Sequence, residues 1–257
     1  ITDGSWHDPS IWNPAGVPLS EDTVIIDHDI IVAGSHVDFA ADWLIVNSSA
    51  SIVSDTIFSL HGNLRNYGLI DVQHLANGDG DSTLVYGTVS GLYFSAGNPV
   101  NMNYGNITSD TLSAGANFDN FGLIDVNILT AGGPNFTNHA GAAIVVSGLC
   151  TFSTVMENQA GATMDLADLV TNGNSTNEGD IACSNWTHGS GTAGGTNGKY
   201  CIGMCFINNA TISGTIDVCD ATPGGFCDVQ MGTIAGTVTT CATSSCISNV
   251  GLDDYES

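Results

Sequence analysis

Apolar residues in this chain come in clusters of two to four, set apart by Gly, Asn, Asp and Ser. Val24-Ile25-Ile26, Ile30-Ile31-Val32, Leu44-Ile45-Val46, Ser51-Ile52-Val53 and Ile57-Phe58-Ser59-Leu60 follow in quick succession. Short apolar runs bounded by turn formers predict short strands. No window holds a 3.6-residue apolar period, so helix is not expected.

A longer repeat overlies the strands. Asn63-Leu64-Arg65-Asn66-Tyr67-Gly68-Leu69-Ile70-Asp71-Val72 is nearly copied at Asn117-Phe118-Asp119-Asn120-Phe121-Gly122-Leu123-Ile124-Asp125-Val126. Looser versions place the same Asn at Asn66, Asn120, Asn138, Asn158, Asn177 and Asn208, at intervals of 54, 18, 20, 19 and 31. Fifty-four is three times eighteen, so two corners are hidden between Asn66 and Asn120. A period of 18–20 residues fits one turn of a three-sided coil with short strands and tight corners. Asn tolerates the left-handed backbone of a sharp corner, and stacked Asn side chains can bond to one another. The six Asn therefore read as a structural ladder, with Asp71 and Asp125 alternating outward to water.

The expected fold is all-β: a right-handed parallel β-helix, or solenoid, with an N-terminal Trp-containing cap and disulfide-rich C-terminal coils. Three regions follow: a cap over residues 1–30, coils over 31–182, and Cys-rich terminal coils with an acidic tail over 183–257. Trp6 and Trp12 are too bulky for a regular coil and read as cap core, since terminal repeats of solenoids are atypical. Their alternative role is an aromatic platform for sugar. Loops are expected to leave the stack around Asn77-Gly78-Asp79-Gly80-Asp81, and a Gly-rich insertion is expected around 185–195.

Charge narrows the partners. Two basic residues, Arg65 and Lys199, stand against 26 acidic ones, for a net charge of −24. Phosphate- or uronate-bearing partners need Lys or Arg, so nucleic acid, anionic lipid and polyanionic polysaccharide are disfavoured. No apolar run reaches membrane length, and no membrane insertion is expected. The chain begins at Ile1, which suits a mature exported protein. Eight cysteines, Cys150, Cys183, Cys201, Cys205, Cys219, Cys227, Cys241 and Cys246, crowd toward the C-terminal end. An even count in an exported chain predicts disulfides; zinc, with His188 as the one nearby imidazole, is the alternative.

Candidate chemistry is sparse. A lyase acting on uronates needs clustered basic residues, and Arg65 and Lys199 are far apart. A glycoside hydrolase needs two carboxylates 5–9.5 Å apart, for which Asp71, Asp125, Asp165 and Asp217 are the candidates. No catalytic residue and no organic cofactor is assigned. Asn77, Asp79 and Asp81 offer alternating oxygens for calcium, with a solvated acidic turn as the alternative.

The opening Trp6, Trp12, Gly16, Pro18, Asp22, Val24 and Ile26, the Asn-x-Gly-x-Ile coils, Gly214-Thr215-Ile216-Asp217-Val218-Cys219-Asp220 and the linker-like Asn249-Val250-Gly251-Leu252-Asp253-Asp254 together resemble secreted and surface β-helix proteins of the Bacteroidota exported by the type IX secretion system. The resemblance implies a released product from which a sorting domain has been removed. It also implies O-glycosylation at Thr23, Thr56, Ser82 and Thr111, each preceded by Asp. Such proteins serve as adhesins, matrix or filament components and sometimes enzymes, so fold alone does not fix function. The expected function is an extracellular or cell-surface structural and adhesive one: a self-assembling, head-to-tail homopolymer subunit of a surface filament or sheath, not an enzyme. The alternatives are a monomeric carbohydrate-binding adhesin module for cell-surface or matrix glycans, and a β-helix polysaccharide hydrolase or lyase.

Overall fold

The computed structural model describes residues 3–34, 36–195, 198–213, 217–220, 229–230, 233–234 and 238–240, with the backbone alone for 203–207 and from 217 onward. Cys227, Cys241, Cys246 and the acidic tail lie outside the described residues. The described chain is strand and turn, apart from one turn of 3-10 helix at Pro9–Ile11. None of its helices is long and apolar enough to cross a membrane. It is an all-β parallel solenoid with an N-terminal Trp cluster. It divides into two compact units, Ile1–Gly133 and Pro134–Ser257.

In the first unit each coil has three sides. One side is built by Thr23–Ile26, Trp43–Val46, the end of Ser51–Asn66, the end of Leu69–Val85, Val100–Asn103 and Asn117–Asn120. The strands pair in parallel, coil to coil, so like residues form columns. Ile52, Ile70, Val89, Ile107 and Ile124 are aligned in successive coils, and each is at most 1% exposed. Phe58, Leu75, Phe94, Leu112 and Leu129 make a second buried column on the next side. Alternate residues point to opposite faces of a strand, which is why apolar clusters of two to four, and not long runs, suffice. Burying each such side chain contributes roughly 1.5–3 kcal/mol.

Register reveals the two hidden corners. Asn66 aligns with Val85, Val85 with Asn103, and Asn103 with Asn120, at spacings of 19, 18 and 17 residues. Residues 77–81 stay within the strand Leu69–Val85 and do not leave the stack. A register shift against Gly62 to Leu64 absorbs the extra residues there.

The second unit repeats the scheme with Asn138, Asn158 and Asn177 aligned. Residues 185–195 are ordinary coil rather than insertion, carrying the end of Asp180–His188 and then Thr192–Gly194. Asn208 departs from the ladder: it aligns with His188, which aligns with Thr171 on another side of the coil. Spacing alone could not separate the sides.

The disulfide-rich ending is corrected. Cys150, Cys183 and Cys201 are buried, Cys150 and Cys183 as free thiols, and no disulfide occurs among the described residues. The register gives the reason. Cys183 faces Leu166 and Ile202 in the coils on either side, so Cys201, next to Ile202, points to the opposite face of its strand. Cys150 faces Leu169 on a different side of the coil. Burial pushes the Cys150 and Cys183 thiols far up, which keeps them protonated and inert. The side chains of Cys205 and Cys219 are not described.

Candidate functional site

The Asn ladder lies inside the coils. In the first unit Asn66 Nδ2 donates to Thr88 O at 2.8 Å, and Asn103 Nδ2 donates to Asn120 Oδ1 at 2.8 Å and Leu123 O at 3.0 Å. In the second, Asn138 donates to Asn158 at 2.9 Å, Asn158 to Asn177 at 2.8 Å, and Asn177 to Lys199 O at 2.9 Å. The carbonyl oxygens of Asn66, Asn103, Asn120 and Asn177 accept from the Gly amide two residues on. All these Asn are 0% exposed. The ladder closes corners and joins coils, and offers nothing to a ligand.

Immediately outside it stands a row that the sequence reading missed. Tyr67, Tyr86, Tyr104 and Phe121 stack with ring centroids 4.9, 4.9 and 4.7 Å apart and planes within 13° of parallel. They form an exposed ridge, each 38–41% accessible. The aromatic-Gly pairs Tyr67-Gly68, Tyr86-Gly87, Tyr104-Gly105 and Phe121-Gly122 were the available signal. The glycines are required by close approach: a Cβ on Gly105 would sit 2.0 Å from Gly87 O. The parallel rungs, about 4.8 Å apart, set the ring spacing. Ring faces inside the ridge are filled by neighbouring rings, so it presents edges and phenol hydroxyls outward.

At the N-terminal end the two tryptophans part company. Trp6 is 2% exposed and meets Trp12, Phe39 and Phe58 edge-on at 5.2–5.4 Å, so it is cap core. Trp12 is half-buried and donates from Nε1 to Trp6 O at 3.0 Å. It lines a half-open cleft of about 510 Å³ together with Leu19, Ile25, Asp22 and Asp27. Leu19 is 73% and Ile25 50% exposed. Asp22 Oδ2 accepts from Leu19 N at 2.7 Å and so fixes the loop that carries Leu19; Asp27 accepts from Asn47 Nδ2.

The calcium candidates are not brought together. Asn77 points inward and donates to Thr83 Oγ1 at 2.8 Å, whereas Asp79 and Asp81 are exposed. Asp79 is held by His61, whose Nδ1 lies 2.8 Å away while its Nε2 lies 3.0 Å from Asp38. The hydrogen bond to Asp79 raises the His61 pKa above its ordinary value, with help from Asp38. Among the described residues no group of three or more His, Cys, Asp or Glu is placed to hold a metal ion. His188 is buried in a relay: Trp186 Nε1 donates to Thr171 Oγ1 at 3.0 Å, Thr171 lies 2.9 Å from His188 Nδ1, and His188 Nε2 lies 3.2 Å from Thr211 O. The carbonyl must accept, so Nε2 carries the proton and Nδ1 accepts. Trp186 stacks on Tyr200 at 4.3 Å and is fully buried.

Within each unit the acid candidates also stay apart. Asp71 aligns with Ser90, Ser90 with Thr108, and Thr108 with Asp125. Three rungs separate the two carboxylates by roughly 14 Å, beyond the span of a glycosidase pair. Asp165 is aligned with Ala182 and Cys201, and Asp217 with Lys199, in different columns. Burial raises the Asp165 pKa. Of the glycosylation candidates, Thr23 is exposed and lines the Trp12 cleft. Thr56, Ser82 and Thr111 are half-buried, with hydroxyls near Ser54, Asn63 and Asp110 respectively.

No family model, no curated protein and no solved structure matches this chain.

Proposed function

We propose that this is an extracellular structural and adhesive protein, of the kind secreted to bacterial surfaces, in which stacked coils hold out a contact surface. One observation carries the reading. The most regular side chains run in columns from coil to coil, Asn inside and aromatic rings outside, and tie successive coils together instead of converging on a reacting point. Buried Asn ladders and stacked rings add directional contacts to the apolar columns. The net charge of −24 opposes close side-by-side packing of bare copies at low salt. Trp6 and its aromatic neighbours cover the first coils, so head-to-tail growth through that end requires the cap to move. Discrete particles are therefore the expected state, and electron microscopy of the purified chain checks it; uniform filaments would overturn this in favour of the head-to-tail homopolymer.

The adhesive half is tested with beads carrying the chain, washed under flow over polysaccharide, protein and mineral surfaces. Retention above bare beads on at least one surface is expected. Retention on none would sink the reading.

A further inference from the structure

The cap and the first coil enclose a site that neither the ladders nor the core explains. The Trp12 cleft contains the most exposed large apolar side chain among the described residues, Leu19 at 73%, with Ile25 beside it at 50%. Bulky apolar groups so exposed on the wall of one concave feature leave a wall that water wets poorly. The cleft volume of about 510 Å³ falls in the range of small-molecule sites. Trp12 contributes an indole wall, and its N–H is already spent on Trp6 O, so it offers the cleft an apolar surface and no donor. The charged groups in the cleft are two acceptors, Asp22 and Asp27, each with one oxygen engaged by the protein as described, and Asn13 and Thr23 add an amide and a hydroxyl. Neither basic residue of the chain lines it.

This combination selects a ligand chemistry. The ligand must bring hydroxyl donors to two carboxylates, lay an apolar C–H face against indole, Leu19 and Ile25, and carry no negative charge. We infer that the Trp12 cleft binds a segment of neutral hexose polysaccharide, with Trp12 as the stacking wall and Asp22 and Asp27 as hydroxyl acceptors. Aromatic rings with an apolar body beside polar partners suit such mixed surfaces. The inference rests on the adhesive reading and names the chemistry of its contact. The aromatic ridge is excluded from this role because its inner ring faces are occupied.

The test is calorimetric titration of the whole chain with cellohexaose, laminarihexaose and mannohexaose, with hexagalacturonate as the anionic control. Saturable binding to at least one neutral hexaose and none to hexagalacturonate is expected. Trp12→Ala should weaken binding at least tenfold. Because Trp12 also bonds the cap, Leu19→Asp serves as the second variant: its side chain is largely in solvent, and a carboxylate there should also weaken binding at least tenfold. Tyr86→Ala, in the ridge, should leave affinity within twofold. The inference is overturned if no neutral hexaose binds, if hexagalacturonate binds as tightly, or if Leu19→Asp binds like the parent. Beads that adhere while hexaoses fail to bind would remove this site and leave the adhesive reading standing; beads that adhere to nothing would remove the adhesive reading itself.

Discussion

The corner after the ladder Asn is built in two ways. In residues 1–133 the Asn position is followed by Tyr67, Tyr86, Tyr104 and Phe121, each with Gly next. In residues 134–257 the equivalent positions hold His139, Gln159 and Glu178. There the contacts are polar: His139 Nδ1 lies 3.1 Å from Gln159 Oε1, and Gln159 donates to Glu157 at 3.3 Å. Two of these corners are longer, with Gly141 at φ 83° and Gly161 at φ 81° and open space around both. An inner Asn ladder runs in both units, interrupted by Val85 in the first and continuous from Asn138 to Asn177 in the second. The inside of a coil is thus constrained by pairing and burial, while its outer skin is free to become a ridge in one unit and a hydrated edge in the other. Chemistry that differs between coils, as at the Trp12 cleft, is where function should be sought.

The largest contrast should come from glycine. In Gly105→Ala the new Cβ would press on Gly87 O at 2.0 Å and Tyr86 O at 2.6 Å, and both are backbone. A loss of about 4 kcal/mol or more is expected. Gly141→Ala meets nothing within 4 Å and should cost only about 1–2 kcal/mol, for its left-handed φ. Denaturant midpoints of the two variants compare the corners directly; equal losses would mean that the tight corner relaxes.

The Asn ladder should show the opposite, a shared cost. Asn103→Ala removes bonds to Asn120 and Leu123 O, and Asn158→Ala removes those to Asn177 and Asp180 O. Each should lose about 2–4 kcal/mol, since buried partners are left unsatisfied. A cost in one unit alone would show that the ladder is not common scaffold.

The skins come next. Tyr86→Ala breaks two ring contacts and should cost about 1–3 kcal/mol. Gln159→Ala removes half-buried polar contacts and should cost under about 1 kcal/mol. Thermal melts of the pair measure how much the ridge stiffens its coils.

The smallest effect is in pH, and its sign differs between units. His61 in the first unit has a raised pKa, chiefly through Asp79. Its contribution is full below the ordinary value of 6.5 and fades as pH rises through the folded-state value. The imidazole is 46% exposed, so the effect should stay within about 0.2–1 kcal/mol. Burial lowers the His188 pKa in the second unit. Its contribution is full above 6.5 and is lost as pH falls toward the folded-state value, because the unfolded chain takes up the proton first. Hydrogen exchange at two pH values should show coils near His61 slightly more protected in acid and coils near His188 less so. His61→Gln should abolish the first trend and leave the second.

Sequence by itself determined the coil. Apolar clusters, Asn with Gly two residues on and an 18-residue spacing specify parallel strands with turned corners, because burial and backbone pairing repeat with every coil. It also set a net charge of −24, which repels other polyanions at low salt. Only tertiary structure decided which residues share a column. Register moved Asn208 beside His188, revealed Val85 and Asn103 as hidden corners, set Asp71 and Asp125 three rungs apart, and put Cys150 and Cys183 in different columns. It likewise separated Trp6, sealed in the core, from Trp12 on the wall of a cleft. The physical reason is that a one-residue change in register turns a side chain to the other face of its strand, and spacing along a chain with variable corners does not count register.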